Sequence, residues 1–202
     1  MTELAIHAAD RDIADELSEQ VRSAYHDRTP LRIVGGNTRA FYGRPVEGTE
    51  LSVAAHSGIV SYDPIELVVT VRAGTRLSAL NAALAEKHQM LPFEPPIFGD
   101  ASTIGGAVAT GMSGPRRPWA GAARDFVLGT RVITQEGKLL RFGGEVMKNV
   151  AGYDLSRMMA GAQGTLGVLA DISFKVLPIP TASHSLRLEM SLQDALAKLS
   201  EL

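Results

Sequence analysis

The feature that most restricts the fold is a short apolar strand that runs directly into a glycine-rich turn. The apolar stretch covers Leu31 to Val34, and the turn from Gly35 to Thr38 follows it without a break. Glycine lacks the side chain that would block a close approach, and such a turn presents bare backbone N–H groups to an anion. We therefore take this turn as the first candidate binding site, although an ordinary strand-to-loop turn has the same composition.

A second stretch of small residues lies at Ala101 to Gly114, which is the longest such run in the chain and contains no charged residue. It follows a strand–loop–helix unit, in which Leu67 to Val71 predict a strand and Leu77, Leu80 and Leu84 predict the buried face of a helix. A backbone without bulky side chains can pass very close to a ligand here. Tight packing of a helix on a sheet gives the same composition, so the segment alone does not decide between the two.

The remaining periodic segments predict an α+β fold. They are an amphipathic helix over residues 10 to 26 with Asp10 as a possible N-cap, a β-hairpin with arms at 126 to 134 and 138 to 142, a short helix near 154 to 159, a β-rich run at 168 to 176, and a strand-then-helix tail at 184 to 201. No internal repeat occurs, and the strands are too irregularly spaced for a simple sandwich or barrel.

Composition excludes several classes of function. Lys and Arg total 20 against 22 Asp and Glu, so the chain has no net basic field for nucleic acid or anionic membranes. There is no cysteine, which excludes disulfides, a catalytic thiol and thiolate-held iron–sulfur clusters within this chain. No signal-type leader and no apolar run long enough to span a membrane occur, so we expect an intracellular, cytoplasmic protein without membrane insertion.

The five histidines do not predict a metal site, because none of them shows ligand spacing. His56 lies in a segment unrelated to the glycine-rich turns, and we expect it to be a surface or loop residue rather than a catalytic one. No residue of the sequence identifies itself as the catalytic base, so the catalytic residues are unknown at this stage.

The order of the glycine-rich segments carries more information than any one of them. They run Val34 to Thr38, Val69 to Thr75, Ala101 to Gly106, Arg124 to Gly129 and Gly161 to Val168. A pyrophosphate needs several backbone donors and hydroxyls that converge from separate segments. This series resembles the FAD-binding domains of the vanillyl-alcohol oxidase and p-cresol methylhydroxylase (PCMH) family, over roughly residues 28 to 180.

The resemblance implies a two-lobed FAD-binding PCMH-type domain, with a small parallel β lobe followed by a mainly antiparallel β lobe with helices. The implied boundaries are 1–72 for the first lobe, 73–178 for the second, and 179–202 for the start of a truncated C-terminal substrate or cap domain. The implied cofactor-binding residues are Gly35, Gly36, Asn37 and Thr38 at the pyrophosphate, Ser102, Thr103, Gly105 and Gly106 at the pyrophosphate and ribityl chain, Gly111 and Gly114 along the isoalloxazine, and Gly164, Gly167, Val168 and Ile172 at the flavin and adenine portions.

The resemblance also implies that FAD is held non-covalently. Some members of the family attach FAD through a histidine directly after the glycine pair, where this sequence has Asn37. The pair Arg124 and Asp125 is expected to fix the following strand rather than to touch the flavin. Trp119 fits either a contact with the cofactor or a position at the protein surface.

The segment Arg141 to Asp154 resembles the E subunits of bacterial glycolate oxidases. That likeness implies oxidation of a small 2-hydroxy acid such as glycolate, together with a second flavin subunit and an iron–sulfur subunit that pass electrons to a non-nicotinamide acceptor, peripheral to the inner membrane. Within the segment, Lys148 and Asn149 fit the edge of the flavin or substrate as well as helix capping and surface polarity.

Two other functions stay open at this stage: a non-catalytic flavin-binding scaffold, and another flavin dehydrogenase of the same fold, of D-lactate or alditol type. Because the family's substrate groups come largely from the cap domain, we expect this chain alone to have little or no activity.

Overall fold

The computed structural model of the protein describes residues 10–144 and 153–200. Its helices are Ala14–His26 (α1), Leu77–Ala85 (α2), Ile104–Thr110 (α3), Arg117–Ala120 (α4), Leu155–Met158 (α5) and Leu192–Leu199 (α6), with a 3-10 turn at Ala123–Phe126. Its strands are Leu31–Val34 (β1), Thr49–Ser52 (β2), Ile59–Asp63 (β3), Val68–Arg72 (β4), Gln89–Met90 (β5), Val127–Ile133 (β6), Leu139–Gly143 (β7), Val168–Lys175 (β8) and Leu177–Pro178 (β9).

The first sheet contains two parallel strands, β1 and β2, which pair from Leu31 opposite Thr49 to Val34 opposite Ser52. Helix α1 covers this sheet because Leu17 and Val21 recur on one of its faces and pack with Leu51 in a small apolar core. This confirms the predicted parallel β lobe. The predicted N-cap Asp10 is not used, since the helix begins at Ala14, whose N–H donates to Asp12 Oδ1 at 2.9 Å.

The main sheet has five strands in the order β3-β4-β8-β6-β7, and every neighbouring pair is antiparallel. Strand β8 lies at its centre, and all but the last of its residues are buried. Helices α2 and α3 pack on this sheet through Leu80, Leu84 and Ile104, which belong to the larger apolar core. The predicted hairpin is confirmed as β6 and β7, with Gly137 at φ +73° in its turn. The mainly antiparallel lobe with helices is therefore confirmed.

The predicted lobe boundary at residue 72 coincides with the end of β4. Strands β3 and β4 precede this boundary, yet they belong to the five-stranded sheet together with β6, β7 and β8. A third sheet, formed by β5 and β9, joins residues 89–90 to residues 177–178. The division into lobes at 72 and 178 stays a prediction.

The tail differs in part from its prediction. Helix α6 is present, and Ser191 caps it by accepting a hydrogen bond from the N–H of Asp194 at 3.2 Å. The predicted strand before it is wrong, because residues 184–190 form no strand and are exposed. An apolar alternation forms a strand only where a neighbouring strand satisfies its backbone groups. Within the described ranges, no helix is long and apolar enough to cross a lipid bilayer.

Candidate functional site

A cavity of about 230 Å³ opens where the small parallel sheet meets α3 and the loop before β8. Its described lining comes from β1 and the following segment, from Ala73, from α3, and from the stretch between α5 and β8. The lining residues are Arg32, Ile33, Val34, Gly35, Asn37, Arg39, Ala40, Tyr42, Arg44, Pro45, Val46, Val53, Ala73, Gly105, Gly106, Ala109, Thr110, Met159, Gln163, Gly164, Gly167 and Leu169. Among the predicted site residues, the structure thus brings together those of the first turn, the start of α3 and the loop before β8.

The turn after β1 lies against the loop that leads into α3, and only glycine permits this contact. A Cβ on Gly36 would collide with the carbonyl oxygen of Ala101, and a Cβ on Gly35 would lie 2.6 Å from Thr103 Oγ1. Asn37 follows at φ +54°, a left-handed conformation that asparagine tolerates better than most residues. The glycine pair therefore lets two loops from distant parts of the chain form one wall.

Hydroxyl groups hold the two loops together. Thr38 Oγ1 lies 3.0 Å from Ser102 Oγ, which also accepts a hydrogen bond from the N–H of Phe98 at 3.1 Å. Thr103 is the N-cap of α3, and its Oγ1 accepts from the N–H of Gly106 at 3.2 Å. In this structure Gly36, Thr38, Ser102 and Thr103 support the cavity from behind rather than line it.

The start of α3 reaches the cavity because it sits directly on the loop after β4. Gly105 donates its N–H to the carbonyl of Ala73 at 2.8 Å, and a Cβ at Gly105 would lie 2.6 Å from the Ala73 side chain. Ile104 donates to the carbonyl of Thr75 at 2.9 Å. Gly105 and Gly106 thus line the cavity and place no side chain in it.

The loop before β8 forms part of the remaining wall through Gly164 and Gly167. Gly164 has φ +80°, and a Cβ there would lie 2.9 Å from Ile33 Cδ1. Val168 and Ile172 do not line the cavity and are buried in the apolar cores, whereas Leu169, between them on β8, does line it. Their predicted contact with the cofactor stays a prediction.

Two further predicted residues, Gly111 and Gly114, follow the end of α3 and do not line the cavity. Gly111 caps the helix in a left-handed conformation at φ +66°, and a Cβ there would lie 3.2 Å from Gly161 Cα. Gly114 has φ +74° and lies against the backbone of Glu94. Both glycines therefore have a structural reason to be present, apart from any ligand.

The charged side chains that line the cavity are all basic. Its described lining includes Arg32, Arg39 and Arg44 but no Asp or Glu. Arg32 forms an ion pair with Glu50, with 2.6 Å between Arg32 Nη2 and Glu50 Oε2. Arg39, in contrast, is buried, and its Nε has no hydrogen-bond partner. The sequence interpretation missed Arg39, although a cation directly after an anion-binding turn is a usable signal.

His56 corrects the sequence interpretation, because it is fully buried instead of lying at the surface. Its Nδ1 accepts a hydrogen bond from the N–H of Ile13 at 3.1 Å, and its Nε2 lies 3.1 Å from Asp171 Oδ1. Arg131 Nη1 donates to the other oxygen of Asp171 at 2.6 Å. This network joins the start of α1 to β6 and β8, and His56, Arg131 and Asp171 do not line the cavity.

Asp12 lies beside this network, with Oδ1 3.5 Å from His56 Nδ1. Partial burial acts to raise the pKa of Asp12, but the hydrogen bond from Ala14 and the nearby His56, Arg72 and Arg131 outweigh it. The pKa of Asp12 is therefore held below its ordinary value. When it is ionised, this carboxylate stabilises the contact between the start of α1, where it accepts from Ala14, and Arg72 of β4.

The other candidates lie away from the cavity. Trp119 is 70% exposed on α4, so the structure favours the surface position. Asp125 Oδ2 accepts from the N–H of Ala122 at 2.8 Å, and its Oδ1 lies 3.9 Å from Arg124 Nε, as expected for a pair that fixes the chain before β6. Lys148 and Asn149 lie outside the described residues. In the described ranges no cluster of three or more His, Asp or Glu could hold a metal ion.

The cavity has the chemistry of a site for an extended anion. Backbone at several glycines is uncovered, a buried guanidinium has unused hydrogen-bonding capacity, and the described lining has no acidic side chain to repel a phosphate. Its volume of about 230 Å³ lies below the roughly 300–1,000 Å³ of pockets that enclose a drug-sized ligand. A ligand larger than this volume would therefore extend beyond the cavity.

Comparison with known proteins agrees with this chemistry. The family model described as "FAD binding domain" matches residues 12–143. The glycolate oxidase subunit GlcE of Escherichia coli (strain K12) is 61% identical over 190 residues, which are 94% of this chain and 54% of that protein. The glycolate oxidase subunit GlcD of Bacillus subtilis (strain 168) is 32% identical, over 85% of this chain and 37% of that protein.

Two more relatives extend the comparison. The D-lactate dehydrogenase of Anaerostipes hadrus is 32% identical, over 91% of this chain and 39% of that protein. A solved structure of alkyldihydroxyacetonephosphate synthase superposes with a TM-score of 0.67 at 25% identity, over 83% of this chain and 33% of that one. The chain thus spans between about a third and about a half of the length of these relatives. On its sequence, its fold and the match over residues 12–143, this chain belongs to the FAD-binding-domain family.

Proposed function

We propose that this chain binds FAD non-covalently and is the flavin-binding part of a subunit that oxidises a small 2-hydroxy acid, with glycolate as the substrate. The observation that carries the proposal is the glycine-walled, arginine-bearing cavity without acidic lining, found in a chain of the FAD-binding-domain family. The 61% identity to a glycolate oxidase subunit over 94% of the chain supports glycolate in particular.

Non-covalent binding is supported by the residues around the glycine turn. Asn37 occupies the position after the glycine pair, and no histidine is among the described residues that line the cavity. The sequence contains no cysteine. The buried His56 does not line the cavity and is already engaged by Ile13 and Asp171.

The proposed contacts follow the walls of the cavity. Gly35 and Asn37 would offer main-chain N–H groups to the pyrophosphate, and Gly105 and Gly106 would let it approach closely because they carry no side chain. The N–H groups of Gly105 and Gly106 already donate to the carbonyl of Ala73 and to Thr103 Oγ1. Gly164 and Gly167 would lie along an adjoining part of the dinucleotide. Thr38, Ser102 and Thr103 hold these walls in position and would reach a phosphate only by exchanging hydrogen bonds that they now make with each other and with backbone N–H groups. Gly111, Gly114, Val168 and Ile172 remain proposed contacts for parts of the dinucleotide that extend beyond the cavity.

The chemistry of the reaction is limited by what this site contains. Bound FAD supplies the acceptor for a hydride equivalent from the alcohol carbon. The chain's own residues would bind and orient the dinucleotide. The described lining has no His, Asp or Glu to act as a base. We therefore place the base and the carboxylate clamp for the substrate outside this cavity, in a substrate domain or a partner subunit.

The proposed setting is a complex of several subunits. Two of the relatives are named as subunits of glycolate oxidase, GlcE and GlcD. A second flavin subunit and an iron–sulfur subunit would carry electrons to a non-nicotinamide acceptor, in the cytoplasm and peripheral to the inner membrane. A D-lactate dehydrogenase matches 91% of the chain at 32% identity, so D-lactate is the second substrate to test. The scaffold alternative predicts a bound flavin that no 2-hydroxy acid reduces.

An absorbance spectrum of the purified chain tests the proposal first. We expect flavin bands in the visible region, and we expect all the yellow colour to pass into the supernatant after acid precipitation, where mass spectrometry identifies FAD. The chain is then mixed with its partner subunits, and flavin bleaching by glycolate is compared with bleaching by D-lactate. A colourless protein that takes up no added FAD would contradict the proposed function.

A further inference from the structure

Arg39 is a buried cation whose hydrogen-bonding capacity is largely unused. The residue is only 8% exposed, and the recorded hydrogen bond of its guanidinium runs from Nη2 to the carbonyl of Pro96 at 2.6 Å. Its Nε is buried without any partner. Across residues 10–144 and 153–200, no Asp or Glu forms an ion pair with it.

An unpaired buried cation is expensive, because its hydration is lost and no opposite charge replaces it. Burial accordingly lowers the pKa of Arg39 below the ordinary value of arginine. The side chain is nevertheless held in place, since its guanidinium lies 5.6 Å from the ring centroid of Phe98, which in turn packs edge-on against Phe41. Within the described part of the chain, a desolvated positive charge is therefore held in position without a counter-charge.

The position of this charge indicates what the counter-charge is. Arg39 lines the cavity together with Gly35, Asn37 and Gly106, and a Cβ on Gly106 would lie only 3.5 Å from Arg39 Nη1. The guanidinium thus adjoins the same uncovered backbone that would hold a phosphate. The other two arginines of the lining differ, because Arg32 already has Glu50 at 2.6 Å and Arg44 is exposed to solvent.

We propose that Arg39 neutralises the pyrophosphate of the bound dinucleotide and makes the affinity of this site depend on phosphate charge rather than on the flavin ring. This inference deepens the proposed function and rests on it. A guanidinium offers up to five N–H donors in a plane and matches phosphate oxygens in a way that a lysine does not. With the Nη2 bond to Pro96 kept, Nη1, which adjoins Gly106, is the donor closest to the uncovered backbone, whereas Nε has no accessible surface.

The test compares three ligands on three variants of the full chain. The variants are Arg39→Gln, which removes the charge and keeps a neutral donor, Arg39→Lys, which keeps the charge, and Arg22→Gln as the control, because Arg22 pairs with Glu19 on α1 and does not line the cavity. FAD, ADP and riboflavin are titrated by calorimetry at low and high salt. ADP carries the pyrophosphate without the flavin ring, and riboflavin carries the ring without a phosphate.

We expect Arg39→Gln to weaken FAD and ADP by about 10- to 100-fold, in line with the loss of charge-assisted hydrogen bonds. Riboflavin affinity is expected to stay unchanged, and the salt dependence of FAD binding to become shallower. Arg39→Lys is expected to fall between the wild type and Arg39→Gln. Arg22→Gln is expected to stay within about threefold of the wild type, because its exposed pair with Glu19 lies outside the cavity lining.

Several results would overturn the inference. Equal weakening of FAD and riboflavin would assign Arg39 a packing role, and so would a clear fall in the melting temperature of the ligand-free Arg39→Gln variant. Unchanged FAD affinity in that variant would sink the role of Arg39 while leaving the proposed function intact. If glycolate binding, and not ADP binding, depended on Arg39, the counter-charge would be the substrate carboxylate. A wild-type chain that binds ADP through Arg39 but takes up no FAD would contradict the proposed function alone. A wild-type chain that binds neither ADP nor FAD would contradict the role of Arg39 and the proposed function together.

Discussion

Replacing Asp171 measures how much the buried network contributes to stability. Asp171 is 2% exposed and accepts from Arg131 at 2.6 Å, while His56 Nε2 lies 3.1 Å from its other oxygen. Asp171→Ala would leave both partners without an acceptor inside the fold, and breaking a buried pair in this way costs about 3–5 kcal/mol. The Arg131 side chain is 33% exposed, so water recovers part of that cost, and we expect a value near the lower end, about 3 kcal/mol. Asp171→Asn keeps the volume and one acceptor oxygen and should cost about 2 kcal/mol.

The measurement is urea unfolding of the ligand-free chain, followed by circular dichroism. The matched control is Glu50→Gln, because Glu50 also contacts an arginine at 2.6 Å but is half exposed, and exposed pairs contribute only about 0–1 kcal/mol. Asp171→Asn and Glu50→Gln make the same acid-to-amide change and differ mainly in burial. If Asp171→Asn cost no more than Glu50→Gln, the reasoning that burial makes this network important would be refuted.

Three further predictions follow from the same structure. Gly36→Ala should lower the free energy of unfolding by about 1–3 kcal/mol and weaken FAD binding, because its Cβ would collide with the Ala101 carbonyl; unchanged unfolding and titration curves would contradict this. Leu80→Ala should cost about 2–5 kcal/mol in the same urea assay, since Leu80 is fully buried in the larger core, whereas Trp119→Ala on the surface should stay within about 0.5 kcal/mol. The folded-state pKa of Asp12 is lowered, so its contribution to stability is present above the unfolded-state value of about 3.9 and is lost as pH falls through the lower folded value. The stability difference between the wild type and Asp12→Asn should therefore shrink below about pH 4, and a difference that stayed constant down to pH 2 would contradict the assignment.

Local sequence patterns predicted the helices and strands that show a regular spacing of apolar residues or a clear turn residue. The apolar run before Gly35 is β1, the spacing of Leu77, Leu80 and Leu84 is the buried face of α2, and the turn at Gly137 joins the predicted hairpin. The same patterns failed at residues 184–190, because alternation shows what a strand would bury but not whether a partner strand lies beside it.

Local composition singled out the glycine turn and the start of α3, and Gly35, Asn37, Gly105 and Gly106 of these segments line one cavity. Their contact with a cofactor stays a prediction. Residues whose role depends on distant contacts were missed. His56 was expected at the surface, because no local signal shows that it meets Asp171, 115 positions further along the chain. The position of Arg39 directly after the glycine turn was a usable signal that was passed over, but its burial without an ion-pair partner among the described residues shows only in the structure.

The sequence by itself was enough to identify the glycine-rich segments and their order, to exclude cysteine chemistry, and to predict the main helices and strands from their apolar periodicity. These properties depend on residue type and on spacing within a few turns of the chain. Only the tertiary structure decided which glycines face the cavity, which hydroxyls are occupied by one another, and which charged groups are buried together or alone. Those outcomes depend on contacts such as that between Thr38 and Ser102, 64 positions apart, and contacts of that range exist only once the sheets and helices have packed.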